Sequence, residues 1–352
     1  MIMDFSFYRN KKVFVTGHTG FKGSWLCRML VNLGADVTGY ALEPQTEPNL
    51  FSLSGMADDI NSIIGDVRDL NNLQKALADS NAEIVFHMAA QPIVREGYIN
   101  PLYTYETNVM GTANLLECVR NSNCVKSFLN ITTDKVYRNN ENSVAFKESD
   151  FLDGYDPYSN SKSCSDIITQ CYDRCFLKDK HVAVSTVRAG NVIGGGDFAK
   201  DRIIPDCIRA AEKGEVIKIR NPYAVRPFQH VIEPLVGYML IAEKQYKDAS
   251  YAGSYNIGPD EKDCITVGEL ADLFCRYWGN NIKWKNTSET NAPHEAGFLK
   301  LNCDKFKETF GWKPVWNIDK SIEMICRFSK IMLSCRNISD EMDYEIKKFL
   351  ES

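Results

Sequence analysis

No apolar run in these 352 residues approaches the length of about 20 that a membrane-spanning helix needs. A large excess of charge of either sign is also lacking. The 41 Lys and Arg face 46 Asp and Glu, for a net charge of −5, which speaks against general nucleic-acid binding. The 12 cysteines include no C-x-x-C pair, and the 5 histidines include none at zinc-finger spacing, so no metal site is expected. Most of those cysteines read as small buried hydrophobes in a reducing compartment. The opening MIMDFSFYRNKK is polar, without the apolar core of a signal peptide, which predicts a cytoplasmic protein. No internal repeat or low-complexity tract occurs. What is present is 44% apolar residues in a chain long enough for roughly two lobes of about 150 residues.

The first half alternates strand-like and helix-like segments. Val13 to Val15, Val37 to Tyr40, Ile60 to Ile64, Ile84 to Met88, Phe128 to Ile131 and 182–187 read as strands. Helical spacing covers the stretch from Trp25 to Leu33, then about 71–80, 100–122 and 158–178. That alternation predicts an α/β fold, a doubly wound parallel sheet of Rossmann type, with a smaller, mostly C-terminal α/β lobe. Residues 1–190 read as the nucleotide-binding domain, rejoined by about 228–258, and 191–352 as mainly the substrate lobe. In that second part helices are expected over 203–213, over 267–278 behind a Thr266/Glu269 capping box, and over 319–335, with 286–293 a loop.

Thr16-Gly17-His18-Thr19-Gly20-Phe21-Lys22-Gly23 joins the first strand to the first helix. Glycines in such a turn let the backbone approach a pyrophosphate at a helix N-terminus, so the loop predicts a dinucleotide site. The spacing is G-x-x-G-x-x-G rather than G-x-G-x-x-G. Glu43 stands slightly late for the acidic residue that holds an NAD ribose, and no Arg is placed to receive a 2′-phosphate. The absent cation favours NAD over NADP without deciding between them.

Tyr158 and Lys162 stand four residues apart, one helical turn, where an ammonium is expected to make a phenol a usable base for an alcohol proton. The same spacing occurs at Tyr8/Lys12 and Tyr344/Lys348, which read as a polar N-terminal tail and a charged C-terminal helix. Position selects Tyr158, because it follows the fifth strand, whose carboxyl end faces the ligand in a parallel sheet. Thr133, Asp134 and Lys135 sit directly after that strand. A hydroxyl, an acid, an amine and a Tyr–Lys pair thus converge on one strand end.

These residues resemble the nucleotide-sugar branch of the extended short-chain dehydrogenase/reductase superfamily, and within it the CDP-glucose 4,6-dehydratases. The segments that carry the resemblance are GHTGFKGSWL (17–26), GYALEPQTEPNLF (39–51), TTDKVY (132–137), GYDPYSNSK (154–162), NVIGGGDF (191–198), RPFQHVIEPL (226–235), HEAGFLKLNC (294–303) and GWKP (311–314). The resemblance implies oxidation at sugar C4, loss of water across C5 and C6, and return of hydride to C6, with CDP-glucose as substrate and NAD as cofactor. It implies Tyr158 as the C4 base, with Thr133 completing its hydrogen bonds and Lys162 holding the cofactor ribose. Asp134 is implied as the acid at C6, and Lys135 can serve as the C5 base only when neutral. Thr16, Gly17, Gly20, Phe21 and Gly23 would hold the cofactor, with Asp66 and Val67 at its adenine and Ala89, Ala90 and Gln91 near its ribose. Asn108 would organise the active-site helix. Asn191, Arg202, Arg226 and His230 would bind the sugar nucleotide. Leu115, Leu116, Val119, Ile167, Ile168 and Phe176 form apolar stripes on helices that make a homodimer in this superfamily, or a tetramer. A 4-epimerase or 4-reductase on the same scaffold would use Thr133, Tyr158 and Lys162 but not an acid and amine at 134 and 135. A silent NAD-binding regulator would need no tuned phenol.

Overall fold

The computed structural model describes residues 4–139, 144–288 and 299–352. Seven parallel strands form the central sheet: β1 (Lys12–Thr16), β2 (Asp36–Ala41), β3 (Asn61–Ile64), β4 (Ile84–His87), β5 (Ser127–Ile131), β6 (Ala183–Ala189) and β7 (Ser254–Ile257). Their spatial order is β7-β6-β5-β4-β1-β2-β3, so the winding reverses between β1 and β4. Strands β4, β5 and β6 are buried along their whole length, which explains why they appear in the sequence as unbroken runs rather than alternating ones. Helices α1 (Phe21–Asn32), α2 (Leu70–Ser80), α3 (Val94–Ile99), α4 (Gly111–Asn121) and α5 (Pro157–Tyr172) connect them. A seventh strand was not among those read from the sequence; β7 reaches the sheet through the later helix α7 (Ile232–Lys247) and pairs with β6.

The second lobe carries α6 (Ile203–Glu212), α8 (Val267–Trp278) and α9 (Ile318–Leu333) around its own apolar cluster, which includes Ile208, Phe274 and Ile325. The Thr266/Glu269 capping box starts α8 as expected. A last helix, α10 (Ile338–Leu350), returns to pack on α1.

Several readings change. The helix expected over 100–122 is interrupted: after Pro101–Tyr105 the backbone widens to a π-helical turn over Glu106–Met110 before α4 begins. Asn108 in that turn uses its amide to hold the Gln91 backbone, in keeping with the organising role the resemblance implies. The N-terminus is no polar tail, because Phe5 and Tyr8 are buried and Tyr8 donates to the Met239 carbonyl at 2.6 Å. Lys12 is the first residue of β1. Asn286 ends a short strand, Trp284–Asn286, that pairs with Ile217–Ile219, whereas 289–293 and the 294–298 part of the HEAGFLKLNC segment lie outside the described residues. Five cysteines are buried, four are half-buried and three, Cys171, Cys175 and Cys335, are exposed, so burial is not the rule for them. Among the described residues no helix is long and apolar enough to cross a membrane.

Burial holds His87 and His230 neutral, with both imidazoles pushed down to about 3. Between pH 6.5 and that value the unfolded chain binds protons that the folded one refuses, so stability falls as pH falls. Each ring is expected to contribute about 1.4 kcal/mol per pH unit to that loss. Urea midpoints at pH 7 and pH 5 should therefore lie closer together for His230→Phe than for the parent chain; an unchanged gap would refute the assignment.

Candidate active site

The glycine turn leaves β1 beside β4, at the point where the winding reverses. Gly17 has φ of +78°, and a Cβ there would lie 2.8 Å from the Ala89 nitrogen. A Cβ on Gly23 would overlap the Gly17 carbonyl oxygen. Both positions therefore require glycine for chain packing alone. Gly20 caps α1 without any side-chain cap, leaving the first-turn N–H groups open to a ligand. This cradle fits the pyrophosphate of a dinucleotide.

Thr16 and Gln91 hold the frame. Thr16 Oγ1 accepts from the Met88 and Ala89 nitrogens and bonds His87 Nδ1 at 2.8 Å. The Gln91 side chain turns to Thr104 and to the Ile93 nitrogen, so only its backbone remains at the strand end. Asp66 is gripped by Arg68 through Nε and Nη2, which outweighs its burial and keeps the carboxyl below its usual range. Val67 is buried against Gly111, while Phe21 and Ala90 line the cleft.

That cleft holds about 450 Å³ and runs between the sheet's carboxyl edge and the second lobe. Thr133, Asp134, Lys135, Tyr158, Lys162, Asn191, Arg202 and Arg226 all line it, so one cleft holds these eight residues. Asp134 is buried; its Oδ1 accepts from Thr133 Oγ1 and from Lys135 Nζ, each at 3.0 Å. Its Oδ2 is buried without a hydrogen-bond partner among the described residues. Lys135 Nζ also donates to Asn191 Oδ1 at 3.2 Å. Asn108 donates to Ser161 Oγ and so ties α5 to the exit of β4. Arg202 pairs with Asp197, and Arg226 donates to the Val225 carbonyl.

Two expectations fail here. His230 is not a substrate ligand: it is fully buried, 4.9 Å from the Trp316 ring and 3.4 Å from Glu345, away from the cleft lining. It lies on a two-residue strand running into α7, and its ring packs inward. Nor is the Tyr158 phenol lowered on balance. Burial pushes that phenol up to about 12, and the Thr133 hydrogen bond only partly offsets it. Lys162 instead donates to the Ile131 carbonyl at 2.9 Å, and burial brings it down to about 8. The pair with the same spacing on α10 does bond directly, Lys348 to Tyr344 at 3.2 Å, but on the surface. Spacing alone therefore does not make the chemistry.

Residues 14–325 match the GDP-mannose 4,6 dehydratase family. The chain belongs to that family. It is 45% identical to the CDP-glucose 4,6-dehydratase of Salmonella typhimurium over 97% of this chain and 99% of the relative. Among solved structures, MoeE5 in complex with UDP-glucuronic acid and NAD superposes with a TM-score of 0.78 at 22% identity, covering 91% of this chain and 99% of that one. The dTDP-glucose 4,6-dehydratase of Bacillus anthracis in complex with NAD gives 0.77 at 20% identity, covering 94% and 99%. These two likenesses establish the fold.

One cleft residue of this dehydratase-family chain escaped the sequence reading. Lys22, inside the glycine turn, donates to Tyr238 Oη at 2.8 Å, and burial with Lys162 and Arg202 nearby lowers it to about 7. A cation in the first turn of a helix opposes the helix dipole, and that local conflict was the available signal.

Behind the site, Arg188 donates through Nε and Nη2 to Asp166 at 2.8 and 3.0 Å, both side chains fully buried. Arg188→Met is expected to cost about 3–5 kcal/mol by leaving Asp166 buried and unpaired. The double change Arg188→Met/Asp166→Leu should recover most of that in urea unfolding. A double variant no more stable than the single one would refute it.

Proposed function

We propose that this protein is a CDP-glucose 4,6-dehydratase that converts CDP-glucose to its 4-keto-6-deoxy product with NAD. The observation that carries the reading is the direct contact of an acid and an amine, Asp134 and Lys135, in the cleft that also holds Tyr158. Oxidation at C4 alone, as in an epimerase or reductase, has no use for that pair. The near full-length likeness to a protein of this name supports the choice of CDP-glucose.

Gly17, Gly20, Gly23 and the first turn of α1 would hold the cofactor pyrophosphate, with Phe21, Asp66, Val67, Ala89, Ala90 and Lys162 along the rest. The cofactor supplies, when bound, the hydride acceptor and donor that a net redox-neutral dehydration requires. Tyr158, once ionised, takes the C4 hydroxyl proton, steadied by Thr133. The resting Asp134–Lys135 ion pair becomes an acid and a base by one proton shift, from Lys135 Nζ to Asp134 Oδ1. The neutral amine then removes the C5 proton made acidic by the 4-keto group, and the carboxylic acid protonates the departing C6 hydroxyl. The elimination leaves the proton on Lys135 and Asp134 ionised; Lys135 would then return a proton, exchanged with solvent, to C5 as C6 gains its hydride, and the proton that Tyr158 took from the C4 hydroxyl would restore Lys135. Asn191, Arg202 and Arg226 hold the sugar nucleotide, whose diphosphate suits a cleft lined by eight Lys or Arg against five Asp in a chain of net charge −5.

We also propose a homodimer. Leu115, Leu116 and Val119 are core residues and drop out of its face, but Leu102, Met110, Ile167 and Phe176 leave an apolar surface on adjoining helices. Twelve free thiols suit a reducing, cytoplasmic setting.

Incubation with CDP-glucose and NAD in deuterium oxide tests the activity. Mass spectrometry and NMR should reveal loss of water, a C6 methyl group and deuterium at C5; inversion at C4 with the C6 oxygen kept would make the protein an epimerase instead. Tyr158→Phe is expected to slow turnover by about 10²–10⁴-fold. Lys135→Met should abolish deuterium uptake at C5 while leaving NAD affinity unchanged, and retained exchange would remove Lys135 from the base role.

A further inference from the structure

At the mouth of the cleft three charged side chains meet that the catalytic reading does not use. Arg95 comes from α3, just beyond β4; Arg220 follows the strand Ile217–Ile219 of the second lobe; Asp201 sits between them on the loop before α6. Asp201 Oδ1 accepts from Arg220 Nη1 and lies 3.6 Å from Arg95 Nη1. Asp201 holds a left-handed backbone, φ +63°, as it carries its carboxylate to this point. Asp206 also faces Arg220 but is engaged by Arg209.

All three side chains are 36–37% exposed, so the ion pairs face water and each is easily exchanged. The Arg220 guanidinium keeps the Asp201 carboxyl below its usual range, so the group is an anion at neutral pH. Two guanidinium forks approaching one oxygen from opposite sides of a cleft make the geometry that a bridging diphosphate fills better than a single carboxylate.

We infer that Arg95 and Arg220 form a diphosphate-binding pair at the cleft mouth, and that Asp201 occupies it as an internal anion until a nucleoside diphosphate displaces it. The inference rests on the nucleotide-sugar reading above and adds a competitor to it. Asp201 lowers affinity for the ligand while keeping the two arginines apart and aligned when no ligand is bound.

Calorimetric titration of the full chain with CDP, and with cytidine as a control lacking phosphate, tests this. Asp201→Asn should tighten CDP binding about 2- to 5-fold, the range that an exposed ion pair is worth. Arg95→Met and Arg220→Met should each weaken it about 10-fold, and Asp201→Asn should give no gain in an Arg220→Met background. Cytidine binding should respond to none of these changes. Unchanged or weaker CDP binding by Asp201→Asn would overturn the competitor role and leave a structural strap. Should that variant not fold, CDP binding unaffected by Arg95→Met or by Arg220→Met would overturn the site. If the parent chain binds none of CDP, UDP, GDP and dTDP, the nucleotide-sugar reading falls and this inference with it.

Discussion

The buried ion pair between Arg188 and Asp166 is the constraint on which the catalytic edge depends. Arg188 stands on β6 and Asp166 on α5, one turn beyond Lys162. Thr132 donates to Asp166 Oδ2, and Arg188 Nη1 donates to Tyr137 Oη at 2.9 Å, so both ends of the Thr133–Lys135 segment are tied to one pair. Tyr137 in turn donates to Asn256 on β7, which brings the seventh strand into the same network. Two charges out of water are costly unless their remaining hydrogen-bonding capacity is met, and here nearly every lone pair and N–H finds a partner. The result is a rigid shelf behind a site whose own polar atoms, such as Asp134 Oδ2, are left unsatisfied.

Burial of charge runs through the cleft itself. Lys22 and Lys162 are both lowered by loss of water, Lys22 is lowered further by Lys162, and Tyr158 is raised by the same cause. Asp166 partly offsets the loss for Lys162. An unliganded cleft of this kind carries cations in excess and a phenol that holds its proton. An anionic ligand with a diphosphate relieves the first imbalance, and the phenol has to ionise before it can take a proton from a substrate hydroxyl.

The α/β class, six of the seven strands and the capped helix α8 were legible from the chain because periodicity, glycine punctuation and capping are local. So was the convergence of Thr133, Asp134, Lys135, Tyr158 and Lys162, because a parallel sheet sends every strand's carboxyl end to one edge. The placement of His230 was not legible. Its neighbours in space, Trp25, Trp316 and Glu345, come from three distant parts of the chain, and only their packing made it a core residue. The direction of the Tyr158 shift was hidden for the same reason, since desolvation is a property of everything packed around a group and outweighs a spacing of four residues. Sequence by itself determined which chemical groups exist and on which strand ends they fall. Tertiary structure alone decided which of them face the cleft, which are sealed from water, and hence which can exchange a proton.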